Sequence, residues 1–432
     1  MLPVGLSLFL KHASPGKVFG MSSQKALRSP RIVALEEALI AGDNTALDTF
    51  WQEIEAHGAP LMEELEEGYY LVTFLWHARQ ETHNVVIWGG PAGLEYPADN
   101  RMARLLETDL WYRTYRVQAD LRGVYTLSTN DSVDAEIDNH EIGTRFIPDP
   151  LNPRQFVAHK DEEIPNDKEV IFSILELPAA PVQSWIVPRP EVPTGQLNLH
   201  RLSSRILNNQ RRVWVYTPDG YVESGEPYRL LVLFDGWSYI DLIPTPTILD
   251  NLTYAGKIPP MVAVLIDSPD QATRNRELTC HPPLIDFLRQ ELMPWLHEHY
   301  HVTNDPARTI VGGNSYGGLA AAFVGLHAPE FFGNVLSQSG SFWWDKEPDE
   351  DIQQEWLIQQ FIASPTLSLH FYLEVGLKED SGWIYMVGCN RHFRDVLRLK
   401  GYQVHYYEFN GYHHPVSNRG TLADGLLALL GD

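Results

Sequence analysis

Residues 312–318 read GGNSYGG, and the apolar run PARTIVG, Pro306 to Gly312, leads into them. A single serine, Ser315, stands there with Gly313 two positions before it and Gly317 two positions after. In the nucleophile elbow G-x-S-x-G a strand turns abruptly into a helix, and the apical serine takes a strained conformation in which neighbouring Cβ atoms would collide. Glycines at plus and minus two remove those atoms. The same pattern also fits an ordinary strand-turn-helix loop, so the surrounding sequence has to decide.

Around the elbow the chain alternates strand and helix. RRVWVYTP, YRLLVLFDG and PPMVAVLID read as strands, PLIDFLRQELMPWLHEHY as a helix, and RTIVGGNSYGG as a strand opening the helix LAAAFVGLHAP. NVLSQSG, LSLHFYLEVG and QVHYYEF follow as strands, with NRHFRDVLRLKG and TLADGLLALLG as helices. Continuous apolar strands alternating with helices predict an α/β fold with a mostly parallel sheet covered on both faces, the α/β-hydrolase setting an elbow requires.

The first half has another texture. Residues 31–58 carry helical periodicity that Gly42-Asp43 breaks into two helices. YYLVTFLWHA, NVVIWGG, LWYRTYRVQAD and GVYTLSTN are β-branched and aromatic runs whose spacing suits an antiparallel, immunoglobulin-like β-sandwich. DPLNPRQFVAH reads as a loop without an assignable pattern. Pro178, Pro181, Pro188, Pro190 and Pro193 mark a stiff connector. The expected division is a flexible or mis-started leader over 1–30, the sandwich with its leading helices over 31–178, a linker over 179–196, and the hydrolase domain over 197–432.

Composition narrows the function. A chain of 432 residues exceeds what one core usually supports, which agrees with two domains. Its formal net charge of -23 disfavours nucleic acid or an anionic membrane surface as a partner. Two cysteines, Cys280 and Cys389, argue against a disulfide scaffold or a cysteine-rich metal site and for a reducing compartment. No apolar run approaches the roughly 18 residues of a membrane span. The opening LPVGLSLFL lacks the basic residues that precede a signal sequence, and Met21 offers another start.

A serine hydroxyl is a poor nucleophile at neutral pH, so a histidine must take its proton and an acid must orient that histidine. In α/β-hydrolases they follow in the order serine, acid, histidine, each on a loop after a strand. EFNGYHHP places His413 and His414 just beyond the strand QVHYYEF, and HFYLEVG ends in LKED, which offers Glu379 and Asp380. The oxyanion calls for preorganised N–H donors. Tyr316, after the nucleophile, supplies one; the loop after LLVLFDGW supplies the other, with Gly236 permitting close approach and Trp237 presenting its amide.

These segments carry a family resemblance. VLIDSPD, ATRNRELTCH, TIVGGNSYGGLAAAFVGLHAPEFFGNVLSQSGSFWW, LEVG and EFNGYHHPVSNRGTLADGLLALL resemble the enterochelin (enterobactin) esterases, of the esterase D-type α/β-hydrolases. LLETDLWYRTYRV, ADLRGVYTL, IPDPLNPRQFV and LELPAAP resemble their N-terminal half, so the likeness spans roughly residues 30 to 430. The resemblance implies a cytoplasmic serine esterase that opens the trilactone of tri-catecholate siderophores and so promotes iron release. It places the nucleophile on Ser315 and the base on His413, with His414 where the family has an aspartate. The acid falls on Glu379, with Asp380 adjacent in a segment a few residues longer than the family pattern.

A ferric tris-catecholate is aromatic and trianionic, so its site calls for aromatic faces and arginines. Trp237, Phe342, Trp343 and Trp344 are the aromatic candidates, and Arg274, Arg276 and Arg419 the cationic ones. HEHYH, residues 297–301, alternates histidines at a helix end without a supporting carboxylate set, and no metal site is expected there. No cofactor is expected, since iron arrives with the substrate; the oligomeric state is left open. A feruloyl-type or small-acyl carboxylesterase is the alternative, because an elbow and triad do not encode the leaving group. A purely binding role would require a broken triad, and Ser315 and His413 are both present.

Overall fold

The computed structural model describes residues 27–93, 100–131, 145–346, 355–380 and 384–431, so the expected leader falls almost wholly outside them. The chain divides into two compact units, Met1–Pro181 and Val182–Asp432. The division falls inside the proline-rich stretch.

The first unit opens with two helices, α1 (Pro30–Ile40) and α2 (Ala46–His57). Ser29 caps α1, its hydroxyl accepting from the Arg31 and Ile32 amides, and Pro30 holds the first helical position, where a missing N–H costs nothing. Ile32 and Leu35 of α1 and Phe50, Trp51 and Ile54 of α2 bury one apolar stripe against Leu61, Leu75 and Leu110. Strands β1 (Leu61–Glu64), β2 (Tyr69–His77), β4 (Ala103–Arg104) and β5 (Leu110–Gln118) form one antiparallel sheet in the order β1-β2-β5-β4. Strands β3 (Val85–Gly89), β6 (Arg122–Thr129), β7 (Gln155–Ala158) and β8 (Val170–Glu176) form a second, in the order β3-β6-β8-β7.

The unassigned DPLNPRQFVAH is pinned by its buried Asp149 and Asn152 and runs into β7. The Tyr125 hydroxyl donates to Asp149 Oδ2 at 2.7 Å, the Asp149 amide donates to Ser173 Oγ at 2.8 Å, and Asn152 Nδ2 donates to the Ile174 carbonyl at 2.9 Å. Burial pushes the Asp149 carboxyl up to about 6.

The second unit is built on one mixed eight-stranded sheet. Its strands are β9 (Gln196–Ser204), β10 (Asn209–Thr217), β11 (Arg229–Phe234), β12 (Met261–Ile266), β13 (Thr309–Asn314), β14 (Asn334–Gln338), β15 (His370–Gly376) and β16 (Gln403–Phe409). They lie in the order β16-β15-β14-β13-β11-β12-β10-β9. The pairs from β12 to β16 are parallel, whereas β10 pairs antiparallel with both β12 and β9. After β11 the chain goes first to β12 on one side, then to β13 on the other. Such a reversal opens a crevice outside the carboxyl ends of the two diverging strands.

The connections hold α3 (Ser238–Asp241), α4 (Thr245–Tyr254), α5 (Gln271–Glu277), α6 (Pro282–Phe287), α7 (Met293–His299), α8 (Tyr316–His327), α9 (Trp356–Ala363), α10 (Met386–Leu399) and α11 (Pro415–Leu430). Alternate strand residues Leu231, Leu233, Ala263, Leu265 and Leu336 pack with Ile248, Leu249 and Leu252 of α4 and Leu422, Ala423 and Leu426 of α11. Every residue of α8 from Gly317 to Leu326 is buried, as an all-round apolar helix must be. The proline-rich stretch is not a free connector beyond Val182. Trp185 and Ile186 pack against this core, and Asn251 Nδ2 donates to the Trp185 and Val187 carbonyls at 2.8 and 3.0 Å.

Candidate functional site

Ser315 lies between β13 and α8 with φ 59° and ψ -120°, a left-handed conformation that a residue with a side chain adopts only under strain. The flanking glycines are explained by contact. A Cβ on Gly313 would lie 2.6 Å from the Gly317 carbonyl carbon and 2.8 Å from its Cα. The turn is therefore closed glycine on glycine. The Ser315 amide donates to the Gln338 carbonyl at 3.0 Å, and its own carbonyl accepts from the Ser341 amide at 3.1 Å, which fixes the apex against the loop after β14.

His413 follows β16 and Glu379 follows β15; both are buried, and His413 Nδ1 lies 2.6 Å from Glu379 Oε2. The other carboxylate oxygen, Oε1, accepts from the Gly376 amide at 2.7 Å and from Ser339 Oγ at 2.7 Å. A carboxylate held this firmly can orient an imidazole and stabilise its charged form. Asn314, next to Ser315, donates to Asn418 Oδ1 at 3.2 Å, so the elbow and the segment that follows His413 are tied together.

The two neighbouring alternatives have other duties. Asp380 is exposed, and its Oδ1 accepts the Val387 amide at 2.9 Å in the first turn of α10. It is not the histidine's partner. His414 is buried, and its Nδ1 accepts the Val416 amide at 3.1 Å, capping α11. Burial, with Arg419 and His413 nearby, lowers its pKa to about 3, so its imidazole is neutral.

Tyr316 is the first residue of α8 and Trp237 the residue before α3, positions whose amides have no acceptor within their own helix. The Gly236 amide donates to the Ile266 carbonyl at 2.9 Å, and a Cβ there would meet the Leu265 carbonyl oxygen at 2.7 Å. Gly236 therefore supplies closeness, not a donor.

The three candidate arginines have different surroundings. Arg274 is buried, and its Nε and Nη2 donate to Asp235 Oδ1 and Oδ2 at 2.6 and 2.8 Å. Its charge is already neutralised, and breaking such a buried pair costs about 3–5 kcal/mol. Arg276 is exposed beside Glu277, 3.5 Å away. Arg419 is half-buried, its Nε donating to Gln183 Oε1 at 2.9 Å. Among the aromatics, Phe342 is a core residue, fully buried 4.3 Å from the Phe393 ring. Trp343 is buried 6.1 Å from the Tyr316 ring, whereas Trp344 and Trp237 are half-buried. Ser341 went unnoticed in the sequence, yet its Oγ lies 3.3 Å from Ser315 Oγ; only the serine-rich run SQSGS hinted at it.

A strained serine between strand and helix, with a carboxylate-held histidine on a loop after a parallel strand of the same sheet, defines a hydrolase of the α/β-hydrolase type. Comparisons with known proteins narrow this. Residues 204–429 match the model of the putative esterase family, and residues 71–186 that of the enterochelin esterase N-terminal domain. The iron(III) enterobactin esterase of Escherichia coli O6:H1 (strain CFT073) is 30% identical over 88% of this chain and 96% of its own length. The iron(III) salmochelin esterase of the same strain is 29% identical over 93% of this chain and 98% of its own length. The crystal structure of the enterobactin esterase from Shigella flexneri in the presence of enterobactin superposes with a TM-score of 0.70, at 30% identity, covering 88% of this chain and 97% of that one. The chain belongs to the enterochelin esterase family, and it is a carboxylic-ester hydrolase.

Proposed function

We propose that this enzyme hydrolyses the trilactone ester bonds of ferric tri-catecholate siderophores, with Ser315 as nucleophile, His413 as base and Glu379 as the acid that orients it. The observation that carries the assignment is the 2.6 Å contact between His413 Nδ1 and Glu379 Oε2 at the sheet edge where the strained elbow stands. Ser315 Oγ attacks the ester carbonyl as His413 Nε2 takes its proton, and the Tyr316 and Trp237 amides receive the developing oxyanion. Collapse expels the seryl hydroxyl of the opened lactone, protonated by His413, and leaves an acyl-enzyme. Water, deprotonated by the same histidine, releases the acid. Iron enters and leaves as part of the substrate.

The test is to incubate the protein with ferric enterobactin and follow products by chromatography; linear catecholoyl-serine trimers and their shorter products are expected. Hydrolysis of small acyl esters with the trilactone left intact would move the assignment to a small-acyl carboxylesterase.

Glu379→Gln is expected to lower kcat by roughly 10⁴, the scale set by losing an orienting acid. Asp380→Asn, which only loosens the start of α10, is expected to stay close to the parent. Steady-state kinetics on p-nitrophenyl acetate decides it: equal, mild effects from both would indicate a serine–histidine pair working without an acid.

Arg419 is the arginine best suited to the anionic substrate, since Arg274 is consumed by Asp235. Against a net charge of -23, a cation acts inside the Debye length of about 8 Å and outweighs distant carboxylates. Arg419→Glu should raise KM for the ferric siderophore at least tenfold, about 1.4 kcal/mol, and change p-nitrophenyl acetate hydrolysis far less. A parallel loss on both substrates would assign Arg419 to holding Gln183 instead.

The two sheets of the first unit are read as an immunoglobulin-like sandwich. Phe74 of β2 and Tyr125 of β6, in different sheets, meet edge-on at 4.7 Å, which supports face-to-face packing. Free, buried Cys280 and Cys389 fit a reducing cytoplasm.

A further inference from the structure

Five residues before Glu379, β15 carries a second carboxylate that hydrolysis does not use. Glu374 is fully buried. Its Oε1 accepts from Gln338 Nε2 at 3.0 Å, Asn418 Nδ2 at 3.2 Å and Thr421 Oγ1 at 2.5 Å, and its Oε2 from the Tyr372 hydroxyl at 2.9 Å. Among the described residues no lysine or arginine donates to it. An ionised carboxylate in such a place is costly unless all its lone pairs are met, and burial pushes this one up to about 7.

Its donors belong to the elements that carry the catalytic groups. Gln338 is the residue whose carbonyl receives the Ser315 amide, and its Oε1 accepts from the hydroxyl of Tyr239 in α3, the helix that begins just past Trp237. Asn418 and Thr421 lie in the first two turns of α11, whose cap is His414 and whose preceding residue is His413. Asn418 reaches both ways, donating to Glu374 and accepting from Asn314 at the foot of the elbow. The Glu374 carbonyl accepts the Ser339 amide at 2.8 Å, and Ser339 Oγ holds Glu379.

We propose that Glu374 is a positioning residue of the esterase site: its buried carboxylate holds α11, and with it the His413 loop, in register with the elbow that presents Ser315. This rests on the triad assigned above. Donors from one strand, its neighbour and one helix converge on a single acceptor, so removing the acceptor leaves N–H and O–H groups facing each other beneath the site. The helix then has no unique register on the sheet. Glu374 touches no substrate atom, so its loss should be felt in the chemical step and not in binding.

Glu374→Gln keeps the shape but sets an amide donor among four donors. Misplacement of catalytic groups by about 1 Å costs about 10²-fold, so kcat on p-nitrophenyl acetate should fall about 100-fold, and phosphonylation of Ser315 by a fluorophosphonate should slow equally. KM should stay within about twofold, the mark of an interaction that matters only in the transition state. Should Glu374→Gln not fold, Thr421→Val removes one donor at constant shape, and a fivefold or so loss in kcat is expected, the worth of one hydrogen bond of about 1 kcal/mol. A folded variant with parent-like kcat and phosphonylation rates overturns the proposal, however far its melting temperature drops, because it leaves Glu374 a structural role only. A rise in KM at unchanged kcat overturns it as well. Ser315→Ala and His413→Ala are measured alongside: activity surviving in those sinks the triad itself, whereas their inactivity beside a parent-like Glu374→Gln sinks only the positioning role.

Discussion

Ser315→Ala is expected to fold like the parent and to lose on the order of 10⁶ in kcat, because removing the nucleophile of a cooperative triad costs about as much as removing all of it. The fold should tolerate the change. Ser315 is buried at a positive φ that the chain already sustains with a side chain present, and alanine asks for no more room than serine. What disappears is the attacking oxygen and a 3.3 Å contact to Ser341 Oγ. Thermal unfolding should therefore be nearly superimposable while ferric enterobactin stays unopened. Near-parental turnover in a homogeneous preparation would remove Ser315 from the mechanism, and Ser341 would be the next hydroxyl to test.

The second large effect separates two adjacent histidines. His413→Ala should be as inactive as Ser315→Ala, since the base and nucleophile act as one unit. His414→Ala should keep substantial activity. The difference lies in what each ring nitrogen meets: His413 Nδ1 faces a buried carboxylate, whereas His414 Nδ1 takes the Val416 amide at the start of α11. Losing a helix cap costs about 0.5–2 kcal/mol, so His414→Ala should show a lowered melting temperature instead of a lost reaction. Acid sensitivity offers a further check. His414 titrates at about 3 in the folded chain against an ordinary 6.5, so the unfolded chain binds more protons between those values, and stability falls as pH drops below about 6.5. The alanine variant should lose part of that slope. Reversed activities would place the base one residue further on.

How legible the site was depends on how local each signal is. The elbow could be read because its requirement is met within five residues, and Gly313 against Gly317 is a contact the motif itself encodes. His413 could be read because it follows a strand that ends at Phe409 with only a short loop between. Glu379 and Asp380 could not be told apart by type. The curl after Gly376 turns one inward and leaves the other to cap α10. The ion pair of Arg274 had no sequence signal because its partner Asp235 lies 39 positions away, and nothing in ATRNREL distinguishes an arginine that meets a ligand from one that meets a distant aspartate.

Fold elements followed the same rule. The apolar strands β11, β12 and β13 announced themselves, whereas β9, QLNLHRLSS, did not, because an edge strand with one neighbour has little apolar surface to bury. Helix α11 begins at Pro415, six residues before the run TLADGLLALLG that marked it, since its polar first turns face the Glu374 network and not an apolar core. Glu374 itself had no sequence signal: a glutamate inside HFYLEVG looks like any interruption of a strand.

The packed part of the proline-rich stretch, from Val182 on, sets where this molecule can be cut. A catalytic fragment beginning at residue 197, where the prolines end, would strip Trp185 and Ile186 from the core and strand the Asn251 amide that holds their backbone. It would also take away Gln183, which binds the Val416 carbonyl and Arg419 at the start of α11. A fragment beginning at Val182 keeps all of these. The fifteen residues 182–196 that look like spacer belong, by their contacts, to the enzyme's wall.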